Sequence, residues 1–282
     1  MKTPVEGVRF FRATEPVTRT PLLYEPGIVL IGQGHKIGYL DGQRFRYDAE
    51  NYLVLSVPLP FECETHASPD APLLGIFIDI DVVRLRETAA VVEREHPPAA
   101  IDVSSVRRGV EPAPLDPELL ATTARLLQCL KRPLDARVLG PSIVHEILYR
   151  VLLGPHGSAL FALTQHSTPY ARIARALSFA HRHYHESISV ETLARQAAMS
   201  TSAFHRAFKR VTGESPLQYV KKLRLNKART LLVHQDVAVS DAAFQVGYES
   251  PAQFSRDFRR YFGAPPSQAR GTGYSLLSSG RS

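Results

Sequence analysis

Eight polar side chains in the last third of the chain fall where a helix would carry them outward. Ser202, His205, Arg206 and Lys209 lie in one stretch, and Gln253, Ser255, Arg256 and Arg259 in another. An arginine guanidinium matches guanine O6 and N7 with two parallel hydrogen bonds, and side-chain hydroxyls and amides reach other base edges. Lysine and the remaining arginines supply charge to phosphates. The chemistry on offer is recognition of a polyanion, with no bond made or broken. In each stretch the apolar residues fall on the other side at helical spacing: Phe204, Phe208 and Val211 in the first, Phe254, Phe258 and Phe262 in the second.

The elements that must position these groups repeat with a period of fifty. Ser200, Phe204, Arg206, Phe208, Arg210, Gly213, Pro216 and Gln218 recur as Ser250, Phe254, Arg256, Phe258, Arg260, Gly263, Pro266 and Gln268. Ser200 and Ser250 are N-cap residues by type, and Pro251 suits the first helical position. Gly213 and Gly263 suit the left-handed residue that ends a helix. Upstream of Ser200, the run from Ser189 to Ala194 opens an earlier helix with Val190, Leu193, Ala194 and Ala197 on one side, followed by the turn Ala198-Met199. Upstream of Ser250, Ser240 and Asp241 open a helix with Ala242, Ala243, Phe244 and Val246, and Gly247 supplies the turn. Each copy is therefore a helix-turn-helix with a basic outward face. Between them, Pro216 to about Val233 reads as one longer helix whose apolar stripe is Leu217, Val220, Leu223, Leu225, Ala228, Leu231 and Leu232.

Charge follows the same division. The 282 residues carry a net charge of +7. From Tyr170 onward 17 Lys and Arg stand against 7 Asp and Glu, whereas residues 1–169 hold 17 against 20. A basic half joined to a slightly acidic half is the footprint of a nucleic-acid binder with a separate partner domain.

The ordered run Ser200 to Pro216, Arg224-Leu225 to Leu231-Leu232, Val246-Gly247-Tyr248-Glu249-Ser250, Phe254-Ser255-Arg256-Asp257-Phe258 and Phe262-Gly263-Ala264-Pro265-Pro266 resembles the AraC/XylS family of bacterial transcription regulators. Residues 170–270 carry that resemblance. It implies two helix-turn-helix units bridged by a helix and placed in adjacent major grooves. Upstream, Glu146-Ile147-Leu148-Tyr149-Arg150 with Gly154-Pro155 resembles the amino-terminal domain of one branch of the family.

That first half reads as strands. Gly27–Ile31, Lys36–Leu40, Gln43–Tyr47, Tyr52–Val57, Phe61–Thr65 and Leu73–Ile80 are short apolar or alternating runs, and Asp41-Gly42 is a hairpin turn by type. Close spacing predicts an antiparallel sandwich or small barrel. The resemblance makes it a cupin-like barrel that in relatives often holds a small effector. The candidate effector contacts are Tyr24, Tyr39, Phe45, Tyr47, Cys63 and His66. Cys63 is either a sensing thiol facing inward or a small core residue. Beyond the strands a helix follows Asp81, and Asp116–Leu130 and Leu134–Leu153 read as a leucine-rich antiparallel pair suited to a dimer interface or, alternatively, to packing on its own barrel. The expected fold class is thus α+β and multidomain: residues 1–153 a cupin-like β-barrel with a helical pair, 154–169 a linker, 170–270 an all-α double helix-turn-helix domain, 271–282 a flexible tail.

Other chemistries fail on spacing. No apolar run reaches the ~18 residues of a membrane helix, and no signal-peptide pattern opens the chain. Cys63 and Cys129 form no disulfide framework, and His35 and His66 are isolated, so no metal, cofactor or catalytic residue is expected. His181, His183 and His185 alternate, which on a helix points them apart; they are expected at a solvated helix end. The expected protein is a cytoplasmic, nucleoid-associated homodimer with no enzyme activity. Its partners are operator DNA, a small-molecule effector and, if it activates, RNA polymerase. The competing readings are a constitutive architectural DNA-binding protein whose barrel only dimerises, and a cupin enzyme tethered to DNA.

Overall fold

The computed structural model describes residues 1, 3–95, 109–155, 157–165, 167–235 and 237–271. Among the described residues nine strands open the chain: β1 Val8–Ala13, β2 Val17–Tyr24, β3 Gly27–Gln33, β4 His35–Leu40, β5 Gln43–Tyr47, β6 Asn51–Leu55, β7 Leu59–His66, β8 Leu73–Asp79 and, after helix α1 (Val82–Glu95), β9 Val110–Pro114. They form two antiparallel sheets, ordered β1-β8-β3-β6-β9 and β2-β7-β4-β5. The barrel expected by resemblance therefore takes the form of two separate sheets around one core. The Asp41-Gly42 hairpin forms as expected, because both residues take positive φ, 50° and 72°, as a two-residue turn between twisted strands requires.

Helix α2 (Pro117–Cys129) starts where the sequence says. The Asp116 carboxylate accepts from the backbone N–H groups of Glu118 and Leu119. The expected helix over Leu134–Leu153 is instead two, α3 Pro133–Val138 and α4 Gly140–Leu153, because Gly140 and Pro141 break the run. The expected linker over 154–169 contains α5 (Gly157–Thr164), whose Leu160, Phe161 and Ala162 are fully buried. Burying that much apolar surface makes the segment part of the core and not a tether.

The C-terminal helices are α6 Pro169–His183, α7 Val190–Gln196, α8 Thr201–Thr212, α9 Pro216–His234, α10 Val239–Gln245 and α11 Pro251–Phe262, ending in a 3₁₀ turn over Pro266–Gly271. One apolar core runs from the sheets through α6, α7 and α8 to the first half of α9; a second holds the end of α9 with α10 and α11. The first helix-turn-helix unit thus shares its interior with the sheets. The tail expected from 271 lies, after Gly271, outside the described residues. Leu217, expected on the apolar stripe of α9, is 55 % exposed, as is Phe244 on α10. Helix α10 begins one residue before Ser240, with Ala238 at its cap position.

Candidate nucleic-acid interface and buried polar cluster

The two units are built alike. Ser200 Oγ accepts from the Ala203 N–H at 3.4 Å, and Ser250 Oγ from the Gln253 N–H at 3.3 Å. The Phe204 and Phe208 rings meet at 5.3 Å, and Phe254 and Phe258 at 5.5 Å, at nearly the same tilt. Gly213 and Gly263 end the helices at φ 78° and 79°. With the aromatic side buried, Ser202, His205, Arg206 and Lys209 are exposed on α8, and Gln253, Arg256 and Arg259 on α11, with Ser255 half-buried. The arrangement presents a row of donors on each of two helices, which suits a negatively charged groove.

The units differ in the turn. In the first, Ala198 holds φ 50° two residues before the Ser200 cap. In the second, Gly247 holds φ 84° three residues before Ser250. A Cβ on Gly247 would stand 2.5 Å from the His185 carbonyl oxygen, so the second turn needs glycine for its angle and for close approach. Arg224 seals that junction, with Nε donating to the Tyr184 carbonyl at 2.7 Å and Nη2 to the Glu186 carbonyl at 2.6 Å. They differ also at Arg260. Its guanidinium pairs with Oδ1 of the buried Asp257, which Lys221 of α9 also reaches at 2.7 Å. Burial works to raise the Asp257 pKa, but these two cations outweigh it and hold the carboxylate below its usual range.

The six candidate effector residues divide by strand parity. On the four-stranded sheet Lys36 pairs with Tyr47, Gly38 with Phe45 and Cys63, and Thr20 with Cys63, so Tyr24, Lys36, Phe45, Tyr47, Phe61 and Cys63 share one face. Their contacts agree. The Tyr24 and Tyr47 hydroxyls are 3.0 Å apart, and Cys63 Sγ lies 3.4 Å from the first and 3.5 Å from the second. Phe61 stacks on Tyr24 at 4.5 Å. Tyr39 and His66 do not join them. The Tyr39 hydroxyl donates to Glu64, and His66 stacks on His35.

Lys36 is the residue that reading the sequence missed. It is 2 % exposed, and Nζ donates to the Tyr24 hydroxyl at 2.8 Å. A lysine on a strand ordinarily reads as solvent-facing. The signal was the hairpin itself, since counting back from Asp41-Gly42 places Lys36 opposite Tyr47. Burial pushes its amine pKa down and pushes the Cys63 thiol and both phenols up. His181, expected at a solvated helix end, is instead mostly covered, with 11 % of its side chain exposed, at the junction of sheets and helices. Its Nε2 is 2.7 Å from the Tyr219 hydroxyl and its Nδ1 3.8 Å from Glu25. Among the described residues no three His, Cys, Asp or Glu gather as a metal site, and no helix is long and apolar enough to cross a membrane.

Residues 4–159 match the family described as the AraC-type transcriptional regulator N-terminus, and residues 193–272 match a helix-turn-helix domain. The HTH-type transcriptional activator RhaS of Escherichia fergusonii is 39 % identical over 100 residues, 36 % of each chain. The lactose operon transcription activator of Staphylococcus xylosus is 34 % identical over 98 residues, 35 % of each. The match thus spans about a third of the length of these relatives. The structure of ToxT from Vibrio cholerae O395, bound to (E)-4-(8-methylnaphthalen-1-yl)but-3-enoic acid, aligns over 93 % of this chain and 96 % of ToxT with TM-score 0.62 at 11 % identity, a likeness of fold. With its N-terminal sheets and both helix-turn-helix units matched, the chain belongs to the AraC-type family of transcriptional regulators.

Proposed function

We propose that the protein is a sequence-specific DNA-binding regulator of transcription whose N-terminal sheets respond to a small molecule. The observation that carries this is the pair of matched helices, α8 and α11, each with its aromatic side buried and its Arg, His, Ser and Gln side exposed. Helix α9 holds the two at fixed separation, as reading two stretches of groove demands. In this reading Ser202, His205, Arg206 and Lys209 contact DNA from the first unit, and Gln253, Ser255, Arg256 and Arg259 from the second. Residues 170–270 form the DNA-binding part. The sheets and helices before them form the effector part, with α5 packed as a shared wall. The relatives named as activators support a contact with RNA polymerase in the activating state. A nucleoid location follows from DNA binding itself, and no residue takes a catalytic role.

Two further features support the regulatory half. The polar cluster of Lys36, Tyr24, Tyr47 and Cys63 lies inside the sheets, where a purely structural core has no use for a lysine. Leu120, Leu127, Leu134, Val138, Leu139 and Leu153 are exposed on α2 to α4, an apolar surface suited to pairing two copies. Genome footprinting of the full chain tests the function. Recovered sites sharing a motif of two blocks about one helical turn apart support it. Coverage without any motif leaves only an architectural protein.

A further inference from the structure

Each of the four strands of one sheet delivers a polar side chain to one interior cluster. Tyr24 comes from β2, Cys63 from β7, Lys36 from β4 and Tyr47 from β5. Among the described residues no carboxylate pairs with Lys36; its hydrogen bond goes to Tyr24, and its remaining neighbour in charge is Cys63. A lysine buried without a counterion either loses its proton or destabilises the fold. A neutral, buried amine is a nucleophile toward carbonyl carbon. The two phenols, hydrogen-bonded to each other and one of them to the amine, are the groups that could carry a proton beside it.

Walls and entrance follow from the same register. Phe61 stacks on Tyr24, and Phe45 lies over Gly38, where any Cβ would overlap its ring. Phe45 is half-exposed and belongs to β5, an edge strand of its sheet. It is the aromatic ring of that face that reaches solvent.

We propose, resting on the reading of the sheets as an effector domain, that Lys36 is the attachment point of a small aldehyde, held as an imine between Tyr24, Tyr47 and Cys63. The Nζ lone pair attacks the carbonyl carbon while the carbonyl π electrons move to oxygen. A phenol gives that oxygen a proton and recovers one from the nitrogen. The carbinolamine then expels its hydroxyl as water, leaving C=N. One aldehyde enters and one water leaves, with no oxidant or reductant. The step replaces a hydrogen bond to Tyr24 by a covalent link, and so disturbs the interior face of the sheet whose strand β2 runs against α9 and α11.

The test uses the full chain, propionaldehyde at neutral pH, borohydride to fix any imine, and peptide mass mapping. Lys36 is expected to be modified at an aldehyde concentration at least about tenfold lower than the exposed Lys131 or Lys209. Lys36→Met, close in volume and uncharged, is expected to fold, to lose the adduct and to lose any aldehyde effect on DNA affinity. Lys36→Arg repeats the test with charge retained. Adducts confined to surface lysines, or found on Cys63 in place of Lys36, overturn the proposal. So does propionate producing the same shift in melting temperature as propionaldehyde, which would make the cluster an anion site. DNA binding of the untreated chain is measured alongside. Binding with an inert Lys36 sinks this proposal alone, whereas no binding at all sinks the regulator reading whatever Lys36 does.

Discussion

The Tyr219 hydroxyl donates to the Pro58 carbonyl at 2.8 Å, joining α9 to the loop between β6 and β7. The same hydroxyl meets His181 Nε2, and Glu25 of the loop after β2 reaches both His181 and Lys227 of α9. Helix α9 packs against both helix-turn-helix units, so in the proposed reading a change in the sheets would reach them through this junction. Tyr219→Phe keeps the ring and removes the bond, leaving a buried carbonyl without its donor. The expected cost is ~1–3 kcal/mol in urea unfolding, together with a weaker effect of effector on DNA affinity. An unchanged midpoint would mean the bond carries nothing.

His181 makes that junction sensitive to acid. Burial holds its pKa down to about 4, with Glu25 pulling it up and Lys227 pushing it down. The folded value lies below the ordinary 6.5, so between them the unfolded chain binds the extra proton. The stability from this group is whole above pH 6.5 and is lost as pH falls toward 4, by at most about 3 kcal/mol. His181→Gln should flatten stability against pH across that window. Parallel curves for the two proteins would assign the acid sensitivity elsewhere.

The two turns should respond oppositely to substitution. Ala198 holds a left-handed φ that costs an L-residue roughly 1–2 kcal/mol, so Ala198→Gly is expected to stabilise by up to about 1 kcal/mol. Gly247→Ala adds that strain to an overlap with the His185 carbonyl, and about 2–4 kcal/mol should be lost. Thermal melts of both variants decide, and equal signs would contradict the geometry.

The second unit carries fewer polar groups at the start of its outward helix, and its exposed cations outside ion pairs are Arg256 and Arg259. Pro251 and Ala252 stand where the first unit has Thr201 and Ser202, and Arg260 is engaged with Asp257. Arg256→Ala and Arg259→Ala should each reduce the slope of log affinity against log salt by ~0.9. Sequence stringency should fall less at that half-site than at the first. Arg260→Ala should leave the slope nearly unchanged and cost stability instead, and the reverse pattern would show Arg260 free for DNA.

What the sequence made legible was local. Caps at Ser189, Ser200 and Ser250, the C-terminal glycines and the Asp41-Gly42 turn each act through the backbone within a few residues, and all formed as read. The strands that escaped reading, β1, β2 and β9, are all sheet edges. Edge strands carry residues that break alternation, here Arg9, Arg12, Arg19, Pro112 and Pro114, because one side needs no partner. Lys36, His181 and the buried α5 were hidden for a different reason. Their environments come from partners far along the chain, and composition around them points to solvent or linker.

Base reading by the first unit rests on Arg206. It lies on the outward side of α8, between the capped start at Ser200 and the glycine end at Gly213. The direct measurement is the affinity of the full chain and of Arg206→Ala for the footprinted operator and for each of its single-base variants. The expected result is a loss of ~1–3 kcal/mol on the operator and relaxed discrimination at one base position. The same loss on every variant would place Arg206 on a phosphate and contradict base reading by the first unit.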